Sequence, residues 1–320
     1  MDILKEAKKV FDTEIFALER TRDNIDETFV EIVNIIVSCK GKLIITGMGK
    51  PGHIAAKLAA TFSSLGTPSF CLHPAEAMHG DLGMISSQDV VFAISYSGES
   101  DEIIRILPNI KLIGAKIIAL TSNRNSTLAK AADITQVLPE FEEACYLGLA
   151  PTSSTTAEMC FGDALAVVAS GIYGFKNTDF GKLHPAGALG KKLIMTVNDL
   201  MAKGNRNAIV HINVSLKDAI IELSKKGLGA VSVVDTNGKL LGIITDGDLR
   251  RQLEKGADIY RMKVEDIMSA KPIVIEKEKL AVDALRIMKE NNISCLLVVE
   301  NMKAVGTIRL QDIIGIGIVG

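Results

Sequence analysis

The chain contains no tryptophan and few other aromatic residues, with 10 phenylalanines and 4 tyrosines among its 320 residues. It also has no excess of either charge, since 36 basic residues oppose 38 acidic ones and the formal net charge is -2. Proteins that bind single-stranded nucleic acids use aromatic stacking platforms, and nucleic-acid surfaces in general carry basic patches. We therefore expect no nucleic-acid partner.

Disulfide and membrane signals are missing as well. The five cysteines form an odd set without a CxxC pair, which is typical of reduced thiols in a cytoplasmic protein. The N-terminal residues include acidic side chains and lack the apolar core of a signal peptide. No apolar run approaches the length needed to cross a bilayer. We expect a cytoplasmic protein with no membrane partner.

The sequence alternates short apolar runs with amphipathic segments over residues 1–195, after two predicted helices at the N-terminus. This alternation predicts an α/β fold with a doubly wound, parallel, five-stranded sheet. The predicted strands are Leu43–Thr46, Ser69–Leu72, Asp89–Ile94, Ala115–Leu120 and Ile134–Leu138. Ligands of such sheets bind beyond the carboxyl ends of the strands, so the loops at that edge form the candidate site.

The most informative stretch is the turn Ser95–Ser100, with the sequence Ser-Tyr-Ser-Gly-Glu-Ser. It joins a predicted buried strand to an amphipathic helix, and the first turn of a helix offers free N–H groups to an anion. The hydroxyls of Ser95, Ser97 and Ser100 add donors, and the glycine permits close approach. We interpret the turn as a cradle for a phosphate ester. The alternative is an ordinary serine-rich helix cap.

A glycine-rich turn, Gly47–Gly52, follows the first predicted strand and matches the pattern G-x-G-x-x-G. A dinucleotide site also needs an acidic residue at the end of the second strand, but that strand ends in His73 and Pro74. A Walker A loop is excluded because Lys50 precedes the last glycine and no Ser or Thr follows it. The turn is better explained as a tight strand-to-helix connection that places Lys50 at the mouth of the sheet.

Three other polar segments are candidates for the same site. The segment His73–Asp81 holds two histidines and two carboxylates, but the spacing of His73 and His79 resembles no standard zinc pair, which favours a polar active-site loop. The hydroxyl run Thr152–Thr156 either caps a long helix or forms a second anion-facing helix start. His184 lies in a loop rich in glycine and proline.

Five ordered motifs resemble those of the D-arabinose 5-phosphate isomerases, which are sugar isomerase (SIS) domain enzymes with a pair of CBS modules. The motifs are Gly47–Gly52, His73–Leu82, Ser95–Ser100, Leu149–Thr156 and His184–Gly190. The resemblance covers nearly the whole chain. It implies interconversion of D-ribulose 5-phosphate and D-arabinose 5-phosphate, the entry to Kdo synthesis for lipopolysaccharide or capsule glycans. It also implies a flavodoxin-like SIS domain, a homotetramer and no required cofactor.

The same resemblance implies the site residues. The catalytic positions are Lys50, Glu102, Glu143 and His184. The substrate-binding positions are Gly66, Thr67, His79, Ser95, Ser97, Ser100, Thr152 and Ser153. His73 matches a position associated with zinc that inhibits rather than catalyses. Two positions depart from the usual pattern, with Tyr96 in place of Asn and Ala75 in place of Gly, which bears on substrate preference more than on the reaction.

An aldose–ketose isomerase moves a proton between C1 and C2 through an enediolate, so it needs a base and a group that polarises the carbonyl oxygen. We assign the base to Glu143, with a pKa raised by partial burial, and a second acid–base role to Glu102. His184 assists proton movement at oxygen or ring opening. Lys50 stabilises the enediolate charge.

The last part of the chain repeats itself at an offset of about 65 residues, which indicates two copies of one supersecondary unit. Val197–Met201 matches Val264–Met268, and Gly229–Asp235 matches Ser294–Glu300. The pattern resembles a CBS pair over 196–320, with unit one at 197–258 and unit two at 264–320, after a SIS domain at 1–195. Such pairs often bind adenine nucleotides through Thr and Asp residues, and the alternative is a module that only packs and helps the chain to oligomerise. The matching positions are Thr245, Asp248 and Asp312, with Arg309 where the second Thr is expected.

Two alternatives to an isomerase stay open at this point. One is a non-catalytic sensor of sugar phosphates that regulates a partner, although such regulators usually carry a DNA-binding domain. The other is a nicotinamide-dependent oxidoreductase, which only the pattern G-x-G-x-x-G suggests.

Overall fold

The computed structural model describes residues 1–185 and 187–318. Ala186 of the predicted His184 loop lies outside the described residues, as do Val319 and Gly320 at the end of the predicted second CBS unit. The chain forms two compact units, Met1–Asp179 and Phe180–Gly320. This division by compactness does not test the predicted boundary between the SIS and CBS domains at residue 195, which stays a prediction.

The first unit is a five-stranded parallel sheet with helices on both faces. Its helices are α1 (Ile3–Asp23), α2 (Glu27–Ser38), α3 (Lys50–Ser64), α4 (Pro74–Ala77), α5 (Asp101–Ile113), α6 (Thr127–Ala131) and α7 (Ser153–Ile172), with a 3₁₀ turn at Asp81–Met84. Its strands are β1 (Leu43–Gly47), β2 (Ser69–Cys71), β3 (Val90–Ile94), β4 (Lys116–Thr121) and β5 (Ile134–Val137). The strand order β2-β1-β3-β4-β5 is the flavodoxin-like order, so the predicted fold class is confirmed.

The central strands are buried on both faces, which explains their continuous apolar runs. Every residue of β1 and β3 is buried, and Leu43 pairs in register with Val90. Alternate strand residues feed two separate cores. Ile45 joins the core beneath α2, α3 and α7, whereas Ile44 joins the core beneath α5. Because the strands are parallel, all their carboxyl ends, and the loops that follow them, lie on one edge of the sheet.

Helices α3 and α7 run parallel and in close contact. A Cβ on Gly162 of α7 would lie 2.3 Å from a methyl carbon of Leu58 of α3. Toward the ends of both helices, a Cβ on Gly66 would lie 2.7 Å from the ring of Phe175. The middle of α3 contacts the middle of α7, and the residues just after α3 contact those just after α7. The N-termini of the two helices therefore lie on the same side.

The second unit contains the predicted repeat. After α8 (Asn177–Leu183), the helices are α9 (Ala188–Ile194), α10 (Val197–Leu200), α11 (Leu216–Lys226), α12 (Asp246–Glu254), α13 (Val264–Ile267), α14 (Ala281–Glu290) and α15 (Leu310–Gly315). The strands are β6 (Ala202–Lys203), β7 (Ile209–His211), β8 (Ala230–Val234), β9 (Leu240–Thr245), β10 (Ser269–Ala270), β11 (Val274–Glu276), β12 (Cys295–Glu300) and β13 (Lys303–Arg309). A 3₁₀ turn covers Gly204–Arg206.

The two repeats of this unit exchange their edge strands. One sheet has the order β10-β9-β8-β7 and the other has the order β11-β12-β13-β6. Strand β6 lies near the start of the first repeat but pairs with β13 of the second, and β10 lies near the start of the second repeat but pairs with β9 of the first. Each repeat therefore completes the sheet of the other.

All five cysteines are free thiols. Within the described residues, no single helix has the length and hydropathy to cross a membrane, although one sharply bent pair of successive helices meets these criteria jointly.

Candidate active site

The serine-rich turn lies at the carboxyl end of β3 and leads directly into α5, as predicted. The hydroxyls of Ser95 and Ser100 are 2.9 Å apart, and the amide of Gly98 donates to the Ser95 carbonyl at 3.0 Å. The Ser97 hydroxyl accepts from the amide of Glu99 at 3.2 Å. Ser100 is the N-cap residue of α5 and makes no side-chain hydrogen bond to the helix. The Ser100 hydroxyl thus pairs with the Ser95 hydroxyl and not with the helix amides.

Neighbouring segments hold this turn in place. The Tyr96 carbonyl accepts from the amide and the hydroxyl of Ser122, each at 2.8 Å, at the end of β4. The amide of Leu128 donates to the Gly98 carbonyl at 3.1 Å. Gly98 has φ +69°, and a Cβ there would lie 2.2 Å from the Ser126 hydroxyl. Only glycine fits this position, because both the backbone angle and the available space exclude a side chain.

The glycine-rich turn is a tight strand-to-helix connection, as interpreted from the sequence. Gly49 has φ +66° and is the N-cap of α3, and a Cβ on Gly47 would lie 2.7 Å from the backbone of Pro51. Lys50 is the first residue of α3 and is exposed. The glycines are thus explained by backbone geometry without any bound dinucleotide.

Glu143 is fixed at the start of α7 by three hydrogen bonds to one carboxylate oxygen. The amide and hydroxyl of Thr152 donate at 2.7 and 3.0 Å, and the amide of Ser154 donates at 3.2 Å. Burial raises the pKa of Glu143, but the hydrogen bonds from Ser154 and Thr152 outweigh it and leave the pKa below its usual value. The expectation of a raised pKa at Glu143 was therefore wrong, because the helix start holds the carboxylate in its charged form.

Glu143 also borders an open cleft of about 930 Å³ at the first residues of α1. Tyr96 of the serine-rich turn reaches the same cleft, and its ring lies 5.6 Å from that of Phe141. Neither Lys50 nor Glu102 lines it. Of the serine-rich turn, Tyr96 lines this cleft, whereas Ser95, Ser97 and Ser100 do not.

A second carboxyl near Glu143 was not predicted from the sequence. Glu158 lies on α7 and is fully buried, and neither of its side-chain oxygens has a hydrogen-bond partner. Burial, together with the charge of Glu143, raises the pKa of Glu158 to about 8. The available signal was an acidic residue on the apolar stripe of a long Ala/Val-rich helix, one helical turn after Ser154 and one before Gly162.

The other predicted residues of the first unit lie around the strand ends. Glu102 is half-buried in the first turn of α5, while His73 and His79 are exposed on either side of α4. Gly66 and Thr67 precede β2, and the Thr67 hydroxyl is buried without a partner. Among the described residues, no group of three or more histidine, cysteine or acidic side chains could hold a metal ion.

Thr152, Ser153 and His184 complete the predicted active-site residues. Thr152 bonds to Glu143, and Ser153 is buried with its hydroxyl unpartnered at the start of α7. His184 belongs to the second unit, where its Nδ1 lies 2.9 Å from the Phe180 carbonyl oxygen and its ring stacks on that of Phe180 at 3.9 Å.

The CBS-like positions are occupied by local pairs. Thr245 caps α12, and its amide and hydroxyl donate to the Asp248 carboxylate at 2.8 and 2.6 Å. Asp312 accepts two hydrogen bonds from Arg309, at 2.9 and 2.7 Å, and Arg309 also donates to the Gly227 carbonyl at 3.1 Å. A cavity of about 490 Å³ between the repeats is lined by Gly227 and Arg309.

Comparisons with known proteins agree with this architecture. The SIS domain model matches residues 35–168, and the CBS domain model matches residues 197–255 and 264–317. The Yersinia pestis protein named arabinose 5-phosphate isomerase KdsD is 43% identical over 319 residues, which cover 100% of this chain and 97% of that protein. The chain belongs to the KdsD family. The KdsD protein of Escherichia coli K12 is 42% identical over 99% of the chain and 97% of that protein.

Solved structures also resemble part of this chain. The Escherichia coli CFT073 protein c3406, solved in complex with arabinose 5-phosphate, is 43% identical with a TM-score of 0.56. The match covers 57% of this chain and 98% of that one. A Bacteroides fragilis structure described as a putative phosphosugar isomerase involved in capsule formation is 35% identical, with a TM-score of 0.55, over 57% of this chain and 97% of that one.

Proposed function

We propose that this protein is an aldose–ketose isomerase that interconverts D-ribulose 5-phosphate and D-arabinose 5-phosphate. The observation that carries the proposal is its similarity, over nearly the full length, to curated arabinose 5-phosphate isomerases. The site residues agree with that chemistry, since a fixed carboxylate and a hydroxyl-rich helix start lie on one edge of the sheet. Only the resemblance indicates that the product of this reaction is used for Kdo or capsule synthesis, so this pathway role stays a prediction.

The reaction requires one proton to leave C1 or C2 and return at the neighbouring carbon. The Glu143 carboxylate takes this proton, and its low pKa keeps it charged and ready at neutral pH. The resulting enediolate oxygen carries negative charge, which the ammonium group of Lys50 stabilises. The protonated Glu143 then returns the proton to the neighbouring carbon, and a hydroxyl proton passes from the oxygen of one carbon to that of the other, so the reaction balances without a redox cofactor.

The remaining residues divide between binding and proton transfer. The hydroxyls of Ser95, Ser97 and Ser100 bind the phosphate together with the amides at the start of α5. Glu102 follows in the first turn of α5 and is the second acid–base group, and His184 assists at oxygen or in ring opening. The substrate contacts are completed by Gly66, Thr67, His79, Thr152 and Ser153.

Substitution of Glu143 tests this function. E143Q keeps the side-chain shape but removes the base, and we expect isomerase turnover to fall by about 10²- to 10⁴-fold in an assay with D-ribulose 5-phosphate. The matched control is E142Q, since Glu142 is the exposed neighbour. Wild-type turnover of several pentose and hexose phosphates identifies the substrate. Near-normal turnover by E143Q would contradict the assignment.

The alternatives have little support. The relatives named above carry enzyme names, which does not favour a regulator. The glycine-rich turn is explained without a dinucleotide, and titration with NAD(H) provides a direct check. We expect no change in absorbance or fluorescence.

Further properties also belong to the proposal. A homotetramer is supported by the apolar residues that α1 leaves exposed, among them Leu4 at 75% and Phe11 at 71%. The free thiols support a cytoplasmic location. Light scattering of the purified protein measures its oligomeric state.

Ligand binding outside the active site is proposed only for the CBS pair. The matching positions Thr245, Asp248 and Asp312 support binding of an adenine nucleotide, although an arginine pairs with each acid, Arg251 with Asp248 and Arg309 with Asp312. The residues around His73 do not form a complete zinc site within the described chain, so inhibition by zinc stays a prediction for the assay with and without a chelator.

A further inference from the structure

Glu158 is an exception to the usual rule for buried acids. Its side chain is completely excluded from solvent, and none of the described residues forms a hydrogen bond to it. Burying an isolated carboxylate is far more costly than burying a neutral carboxylic acid. The group is therefore protonated at neutral pH, with its pKa near 8. A helix core at this position would be more stable with an apolar residue, so the acid has another role.

The geometry of α7 places Glu158 one helical turn further into the helix than Ser154, which holds Glu143. Gly162, one turn after Glu158 on the same stripe of α7, packs against Leu58 of α3. Ser154, one turn before Glu158, donates its amide to the Glu143 carboxylate at 3.2 Å. Residues four apart on a helix are about 6 Å apart along its axis. Glu158 thus lies between the packed middle of α7 and the helix start that holds Glu143.

The charged groups on the surrounding elements are already engaged or distant from this stripe. On α1, Glu14 accepts a hydrogen bond from Thr156 at 3.1 Å, and on α3, Lys57 pairs with Asp163 of α7 one turn beyond Glu158. Helix α2 meets α7 through the apolar pair Phe29 and Phe161. On the loop 140–148, the charge of Glu140 acts on Tyr96 of the serine-rich turn, and Glu142 and Tyr96 line the cleft. Among the described residues, Glu143 is the charge that acts on Glu158.

We propose that Glu158 is a positioning residue for Glu143. The neutral carboxyl of Glu158 allows Glu143 to remain charged, and the ionisation of Glu158 sets the alkaline limit of catalysis. This inference rests on the proposed role of Glu143 as the base. While Glu158 carries its proton, the start of α7 stabilises a single negative charge on Glu143. When Glu158 loses that proton to solvent, two carboxylates share one helix start and repel each other. The enediolate, which is also negative, is then destabilised.

The first test is the pH dependence of kcat and KM. In the wild type, kcat should fall by about tenfold between about pH 7 and about pH 9, because the neutral form of Glu158 is lost. In E158Q the side chain is neutral at every pH, so we expect less than about a threefold fall over the same range. The control is E14Q, which removes an acid that also contacts α7 and should keep the wild-type alkaline limb. An unchanged alkaline limb in E158Q would overturn the proposal.

The second test does not depend on activity or on a substitution at Glu158. Infrared spectroscopy detects the C=O band of a protonated buried carboxylic acid, which should titrate near pH 8 in the wild type. In E143Q the repulsion is removed, so the same band should titrate at a lower pH. An identical titration in E143Q and the wild type would show that the two acids are not coupled. If the wild type had no isomerase activity but the band titrated at a lower pH in E143Q, the proposed function would be contradicted and the coupling between the two acids would be established.

Discussion

At the scale of single residues, two glutamates near one helix start have opposite properties. Glu143 accepts three hydrogen bonds and keeps a low pKa, whereas Glu158 accepts none and has a raised pKa. Pairs of acids whose environments separate their pKa values are typical of acid–base sites. The chemistry thus depends less on which residues are acidic than on which of them receive hydrogen bonds.

The raised pKa of Glu158 also predicts how folding stability depends on pH. The native state holds this proton up to about pH 8, while the unfolded chain releases it near the ordinary value of 4.5, so the free energy of unfolding falls as pH rises between these values. At pH 7 the expected loss is about 3 kcal/mol for a fully buried acid. E158Q should remove this loss. Urea unfolding at about pH 5 and about pH 7.5 measures it, and parallel changes in E158Q and the wild type would contradict it.

At the scale of secondary-structure elements, the contact between α3 and α7 places two helix N-termini side by side. Gly162 makes this contact possible, since any side chain there would meet Leu58. The α3 start carries Lys50 and the α7 start holds Glu143, so the spacing of the two helices sets the spacing of these groups. The site geometry therefore depends on one small residue in the middle of α7.

We expect G162A to destabilise the protein by about 1–2 kcal/mol, because overpacking outweighs the gain in helix propensity. The matched control is G171A on the same helix, where a Cβ meets no atom within 4 Å. G171A should be neutral or raise stability by up to about 1 kcal/mol. Thermal or urea unfolding compares the two variants. Equal effects on unfolding would mean that the α3–α7 contact tolerates a methyl group.

Much of this element level could be predicted from the sequence. The five strands, the two N-terminal helices and the serine-rich turn follow from apolar periodicity and from the turn residues Gly98 and Ser100. The ends of the strands shifted by a residue or so, as with β4, which begins at Lys116 and ends at Thr121. The hydrogen bond from Arg309 to the Gly227 carbonyl could not be predicted, because it joins segments 82 residues apart in sequence.

At the scale of the whole molecule, the first unit has its own cores and the CBS pair has separate ones. The Escherichia coli protein solved with arabinose 5-phosphate matches 57% of this chain over 98% of its own length. A fold that buries its own apolar residues is expected to be stable without the second unit. We therefore expect isomerase chemistry to be a property of the first part of the chain.

A chain shortened to residues 1–195 tests this expectation. It retains Lys50, Glu102, Glu143 and His184, and we predict a folded protein whose turnover is within about tenfold of the full chain, since no catalytic group is lost. Circular dichroism confirms folding, and the same isomerase assay measures activity. A folded but inactive fragment would mean that the CBS pair contributes to catalysis.

The sequence alone determined the fold class, the repeated CBS-like units and the candidate positions of the acids, because these depend on local periodicity, turn chemistry and motif order. Only the tertiary structure decided which acid is charged. The pKa of a carboxyl depends on the donors and the solvent around it, and Thr152, Ser154 and the packed face of α7 supply these differently to Glu143 and Glu158.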